Sequence, residues 1–178
     1  SLGAEGRLGY AYVLFISSLL VHESDLPRAR QILEESLSIF QAEGHLLGMG
    51  QCYQMLGFIA NLNEEYESAK VYFEEALTCC ERIGDRDGML GALYYLGDQA
   101  FRSGDDVQAR IFYERCLEIA DAIHNVSFPH PRAFLGLLDW MEGKDVQAVE
   151  RFEQNLAINR RTGNLFGIFQ GLDYLGWL

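Results

Sequence analysis

The sequence predicts an all-α solenoid of antiparallel helix pairs, each packed on the next. Three observations lead there: residues recur at a step of 40, each step splits into two stretches of helical periodicity, and no alternating β-branched run suggests a strand. Ala29, Ala69 and Ala109 stand 40 apart, and Ala148 follows after 39. Leu37, Leu77, Leu117 and Leu156 keep that step, as does the bulky residue four after each alanine: Leu33, Phe73, Tyr113 and Phe152. Upstream, Leu56-Gly57, Leu96-Gly97, Leu135-Gly136 and Leu175-Gly176 recur. Segments 44–83 and 84–123 align without a gap at ten identical positions, from Gly44/Gly84 to Ile83/Ile123.

The elements follow in order. A first helix (about Leu8–His22) is apolar all round through Tyr10-Ala11-Tyr12-Val13-Leu14-Phe15-Ile16. His22 and Asp25 flank the turn to its partner, and Glu43-Gly44-His45 closes that pair. Asn63-Glu64-Glu65 joins the helices of the second pair, and Gly84-Asp85-Arg86-Asp87 ends it. In the third, Met89, Leu93, Leu96 and Ala100 form one helical face, then Ser103-Gly104-Asp105-Asp106 breaks the pattern. Glycine there suits a helix end, and the aspartates suit the next start. Ala109, Phe112, Tyr113, Cys116, Leu117 and Ala120 make the second stripe. His124 and His130 flank Asn125-Val126-Ser127-Phe128-Pro129; Gly143-Lys144-Asp145 and Gly163-Asn164 bound the fourth pair's second helix. A last helix runs about Leu165–Leu178. The reading is one repeat domain over 1–178, with repeats at about 8–43, 44–83, 84–123 and 128–162 and a half repeat at 164–178.

Small residues have a packing role in this scheme. Gly57 or Gly97 is expected to face Ala69 or Ala109 on the next helix, with the bulky residue at 73 or 113 filling the space beside them. One pair cannot bury its apolar face alone, so stacking completes the core.

Composition limits the functions available. There are 14 Lys+Arg against 26 Asp+Glu, a net charge of -12, so a general basic surface for nucleic acid is not expected. No run of about 18 apolar residues could span a membrane. The first residues lack the layout of a secretion signal, and a cytoplasmic location is the expectation. Cys52, Cys79, Cys80 and Cys116 are too few for a disulfide framework, form no CxxC, and read as buried thiols. His22, His45, His124 and His130 have no third ligand at helical spacing, so no metal is expected, and no cofactor. Gly48-Met49-Gly50 follows no strand and is not a dinucleotide fingerprint. Glu74-Glu75 and Asp105-Asp106 read as solvated helix charges. No nucleophile, base and orienter can be assembled, so the chain is not read as an enzyme.

These residues resemble the tetratricopeptide repeat. The second repeat reads Tyr53, Leu56, Gly57, Ala60, Tyr66, Ala69, Phe73, Ala76, and the third Leu93, Leu96, Gly97, Ala100, Gly104, Ala109, Tyr113, Cys116. The fourth departs at Arg132, Asp139 and Asn155; the first is weaker, with Val13, Ile16, Ser17, Leu20, Ala29, Leu33 and Ser36. The step of 40 is similar to the long-period repeats of kinesin light chain and of maltose-regulator-type signalling proteins. The resemblance implies a right-handed superhelix of about nine helices, whose first helices line a concave groove that binds protein or peptide.

By that resemblance the groove positions begin with Ala11, Leu14, Ser18 and Val21 in the weak first repeat. Gln51, Gln54, Phe58 and Asn61 follow, then Gly91, Tyr94, Asp98 and Phe101 with Arg102 beside them. The fourth row is His130, Ala133, Leu137 and Trp140, and the last Gln170, Asp173 and Trp177. Phe58, Phe101 and Trp140 would serve as anchors, with amides and one acid as adaptable hydrogen-bonders. No lysine stands where some relatives clamp a C-terminal carboxylate, and the net charge favours a neutral or basic ligand. The expected role is the sensing or partner-docking module of a larger regulatory protein. The alternative is a structural spacer or self-association segment stacking end to end with other repeats. Phe166, Phe169, Tyr174 and Trp177 make the last helix apolar on more than one face, so the chain reads as a piece of a longer array that could form a homo-oligomer through its end helices.

Overall fold

The computed structural model describes residues 3–22, 25–123 and 130–176, the side chain of His130 excepted. Among the described residues there are nine helices and no strand. They are α1 (Ala4–Val21), α2 (Leu26–Ala42), α3 (Leu46–Leu62), α4 (Tyr66–Ile83), α5 (Arg86–Arg102), α6 (Asp106–Ala122), α7 (His130–Met141), α8 (Asp145–Thr162) and α9 (Leu165–Gly176). The chain falls into two compact units, Ser1–Tyr95 and Leu96–Leu178, divided within α5. In the first, α1 packs on α2, α2 on α3 and α3 on α4; in the second, α6 packs on α7, α7 on α8 and α8 on α9.

Local chemistry sets the helix starts. Asp25 Oδ1 accepts from the Arg28 amide at 3.0 Å, Asp85 Oδ1 from Gly88 at 3.0 Å and Asp105 Oδ1 from Gln108 at 3.1 Å. Each satisfies a first-turn N–H that has no partner within the helix. His45 Nδ1 does the same for Gly48 at 3.1 Å. Within the pairs the turn needs one left-handed residue, Gly104 (φ 78°) or Gly143 (φ 74°); in the second pair Glu64 takes it at φ 62°.

The core is built from one repeated seat. The glycines of the first helices face the bulky ring of the partner helix directly, not its alanine as expected. A Cβ on Gly57 would stand 2.7 Å from Phe73 Cε1; on Gly97 or Gly136 it would stand 2.6 Å from Cε1 of Tyr113 or Phe152. A second ring packs against each from the following helix. Phe73 lies 4.6 Å from Tyr95, Tyr113 lies 5.1 Å from Phe134, and Phe152 lies 5.0 Å from Tyr174, between centroids. The seat brings the backbone close to one face of each ring and a second ring close to the ring itself, which is why it excludes a Cβ.

The first repeat is one residue out of step. Ala11 and Ser18 are fully buried, and the Ala11 carbonyl accepts from Ser36 Oγ at 2.8 Å. They occupy the positions of Gly50 and Gly57, 39 residues on rather than 40. Placing Ala11 and Ser18 on a groove is therefore corrected: both are fully buried, and Ala11 packs in one cluster with Ala29, Leu33 and Leu37 of α2.

All four thiols are buried. Desolvation pushes Cys52 from 9.0 up to about 11, and Cys80 and Cys116 up to about 12; Cys79 also rises. The folded chain holds these thiols neutral where the unfolded chain ionises them. Their contribution is thus complete below the ordinary thiol value and lost as pH rises through the raised values. Unfolding midpoints should be flat from neutrality to about pH 8.5 and fall above about pH 9; a Cys116→Ala variant should flatten part of that fall. A thiol reagent near pH 8 should react with the native chain orders of magnitude more slowly than with the denatured one.

Candidate functional site

The first unit carries an open cleft of about 460 Å³, lined by Leu19 and His22 from α1, Gln54, Met55 and Phe58 from α3, and Tyr95 from α5. These are alternate helices of the array, so the cleft lies on the side formed by the first helices of the pairs. Its walls are apolar with two polar groups. Phe58 is half-buried, its ring 6.4 Å from His22 and 6.3 Å from Tyr95. Phe73 stacks on Tyr95 at 4.6 Å, which holds that ring in the cleft wall. Gln54 Nε2 donates to the Gly88 carbonyl at 2.7 Å, which holds its amide in place. His22 Nδ1 donates to the Leu19 carbonyl at 2.6 Å, which holds the ring against its own helix. A cleft of this make-up suits a large apolar or aromatic side chain with a polar neighbour.

Of the expected groove residues, Gln54 and Phe58 line this cleft. Gln51 and Asn61 are half-buried on the same helix, and the Gln51 Oε1 is sealed from solvent with no hydrogen-bond partner among the described residues. Tyr94 is half-buried with its ring 5.2 Å from Tyr95. Sequence reasoning missed Leu19, His22, Met55 and Tyr95. The out-of-step first repeat hid the first two, and the recurrence of Tyr95, Phe134 and Tyr174 was the available signal for the last.

In the second unit, Asp98 is buried and its Oδ2 accepts from Arg102 Nε at 2.7 Å, so this acid serves its own helix. Arg102 is exposed. Phe101 packs edge-on against Phe134 at 5.4 Å, Leu137 packs on the cluster of Ala133, Ala148, Phe152 and Tyr174, and Trp140 is exposed. His130 opens α7, and its side chain lies outside the described residues, as do His124 and Trp177. On α9, Phe166 and Phe169 are exposed. Tyr174 differs from the expectation of an outward end residue: it is buried against Phe152, and its hydroxyl accepts from Gln170 Nε2 at 2.8 Å. Among the described residues no cluster of His, Cys, Asp and Glu could hold a metal ion, and no helix is long and apolar enough to cross a membrane.

Stacked helix pairs with a cleft between alternate helices define a helical-repeat binding scaffold. The family model described as tetratricopeptide repeat matches residues 53–122, most of α3 to the end of α6. A TPR repeat-containing protein of Treponema pallidum (strain Nichols) is 28% identical over 117 residues, covering 65% of this chain and 13% of that protein. Aspartyl phosphate phosphatase F from Bacillus subtilis superposes with a TM-score of 0.85 at 16% identity, over 94% of this chain and 45% of that one. A signal transduction ATPase with numerous domains and a tetratricopeptide repeat sensor, from Pyrococcus horikoshii, superposes at 0.66 with 13% identity, over 99% of this chain and 31% of that one. This chain therefore spans less than half the length of each of these proteins. Residues 53–122 thus match the tetratricopeptide-repeat model, and the fold is a helical solenoid of paired helices. Such repeats generally mediate protein–protein interaction and are not themselves catalytic.

Proposed function

We propose that this domain binds a peptide or protein segment through the cleft on α1, α3 and α5, as the sensing or partner-docking module of a larger regulatory protein in signalling or transcription control. The observation that carries the reading is the cleft itself: four apolar walls, Leu19, Met55, Phe58 and Tyr95, with His22 and Gln54 as the two polar groups. A signalling ATPase that uses such repeats as a sensor supports the regulatory context. The ligand is neutral or basic with one aromatic or large aliphatic anchor, since a net charge of -12 repels acidic segments. The remaining proposed contacts are Gln51, Asn61 and Tyr94 in the first unit, and Phe101, Arg102, His130, Leu137 and Trp140 in the second.

The test is selection of displayed peptides on the immobilised chain, followed by calorimetry with one synthetic winner. Phe58→Ala should weaken it by about 30-fold or more, the size expected at an anchor, with helicity and unfolding midpoint little changed. Wild-type affinity in both Phe58→Ala and His22→Ala would remove the cleft as the binding surface. Loss only in Phe101→Ala with Trp140→Ala would move the site to the second unit.

A further inference from the structure

The cleft on α1, α3 and α5 is built to receive side chains and offers little to a peptide backbone. Its polar side chains are Gln54 and His22, and each already commits one nitrogen to a carbonyl of this chain, that of Gly88 or of Leu19. The elements that line it are helices, whose amides and carbonyls bond within the helix. Among the described residues there is no strand whose edge could pair with a ligand. An extended ligand presents a donor and an acceptor at every residue, and an apolar wall leaves them unpaired at a cost. The wall is also free of charge. α3 has no Asp, Glu, Lys or Arg, and α1 has none from Leu8 to Val21. The partner helices α2 and α4 carry the charges instead, with Glu34, Glu35, Glu74 and Glu75 among them. Met55, Phe58 and Leu62 stand at i, i+3 and i+7 on α3, and Leu62 is 51% exposed, so the apolar line runs one turn past the cleft.

We infer that the ligand of this cleft is an amphipathic helix lying along α3, an assignment that rests on the cleft being the binding surface. A helix satisfies its own backbone and asks only for burial of one apolar face. At about 10–12 Å across it is too thick to enter a cleft of about 460 Å³. It lies over the opening and inserts large apolar side chains spaced one turn apart. Their spacing, i, i+3 or i+4 and i+7, matches that of Met55, Phe58 and Leu62 on the wall.

Two displayed libraries of peptides about 16 residues long, long enough to hold a helix, test this on the immobilised chain. Both place the same large apolar residues in the same polar background, one at helical spacing and the other in alternation. The expected binders come from the helical library. The tightest synthetic one should gain helicity on binding and lose about 30-fold or more in affinity when a proline is set at its centre. It should lose a similar factor against Phe58→Ala, and about tenfold against Leu62→Glu, an exposed change outside the cleft. Binders from the alternating library that are weakened by Phe58→Ala overturn the inference and leave the cleft as the site. So does a helical-library binder that gains no helicity, tolerates the proline or is indifferent to Leu62→Glu. Binders from either library that are indifferent to both Phe58→Ala and His22→Ala overturn the cleft reading and this inference together, as does the absence of any binder.

Discussion

Phe73→Ala should lower the stability of the first unit by about 3–5 kcal/mol, and Gly57→Ala should then change sign. Phe73 is fully buried between Gly57 and Tyr95. In the native chain a methyl on Gly57 would stand 2.7 Å from the Phe73 ring, and Tyr95 at 4.6 Å blocks retreat on the other side. The overlap costs about 1–3 kcal/mol, more than the roughly 1 kcal/mol that alanine gains over glycine as a helix former. In the Phe73→Ala background the overlap is gone. The methyl now fills part of the void, and the helix gain remains. Gly57→Ala should therefore destabilise the native chain by about 1 kcal/mol and stabilise the variant by a similar amount, a coupling of about 2 kcal/mol. Urea midpoints of the four chains measure it. Phe73→Leu gives a milder version should Phe73→Ala fail to fold. Equal effects of Gly57→Ala in both backgrounds would show that the glycine is there for some reason other than the ring.

The aromatic half of that seat was legible before any coordinates: the step of Phe73, Tyr113 and Phe152 and of the glycines marks positions that must match in three dimensions. Which atoms meet was not legible, because a repeat step gives correspondence between units and not the rotation of one helix against the next. Tyr174 shows the difference. An apolar residue on a helix apolar on more than one face carries no sign of which face is covered, and its burial against Phe152 depends on α8. The first repeat failed for a related reason. Its crossing residues are Ala11 and Ser18 rather than glycines, and the Leu-Gly signature that sets the phase elsewhere is missing. Their spacing of seven, that of Gly50 and Gly57, was the remaining clue. Of the cleft residues, Gln54 and Phe58 follow from the repeat positions and Tyr95 recurs, but nothing in the sequence joins them into one site. Leu19, Met55 and Tyr95 are ordinary helix residues about 40 apart in sequence, and only the packing of alternate helices makes them neighbours.

Removing both arginines around Asp139 should cost more than removing the whole cluster. Asp139 stands where the second and third repeats have Ala60 and Ala100, and it is 3% exposed. Its Oδ1 accepts from Arg110 at 2.9 Å and its Oδ2 from Arg151 at 2.6 Å, so α6, α7 and α8 meet on one carboxylate. Arg110 also reaches Glu142 at 3.0 Å, and both arginines are partly exposed. Desolvation therefore falls mainly on the acid. Asp139→Ala alone leaves two cations that water and Glu142 still serve, a loss of about 1–2 kcal/mol once solvent screening is allowed for. Arg110→Met with Arg151→Met leaves a buried carboxylate with neither charge partner, a loss of about 3–5 kcal/mol. Adding Asp139→Ala to that pair removes the stranded charge and restores the residue type of the other repeats. The triple variant should recover to within about 1 kcal/mol of the native chain, since well-packed apolar groups replace a buried ion cluster at little net cost. Thermal and urea unfolding of the four chains decides it. If Asp139→Ala lowers stability further in the arginine-free background, the carboxylate holds the helices by some contact other than its two cations.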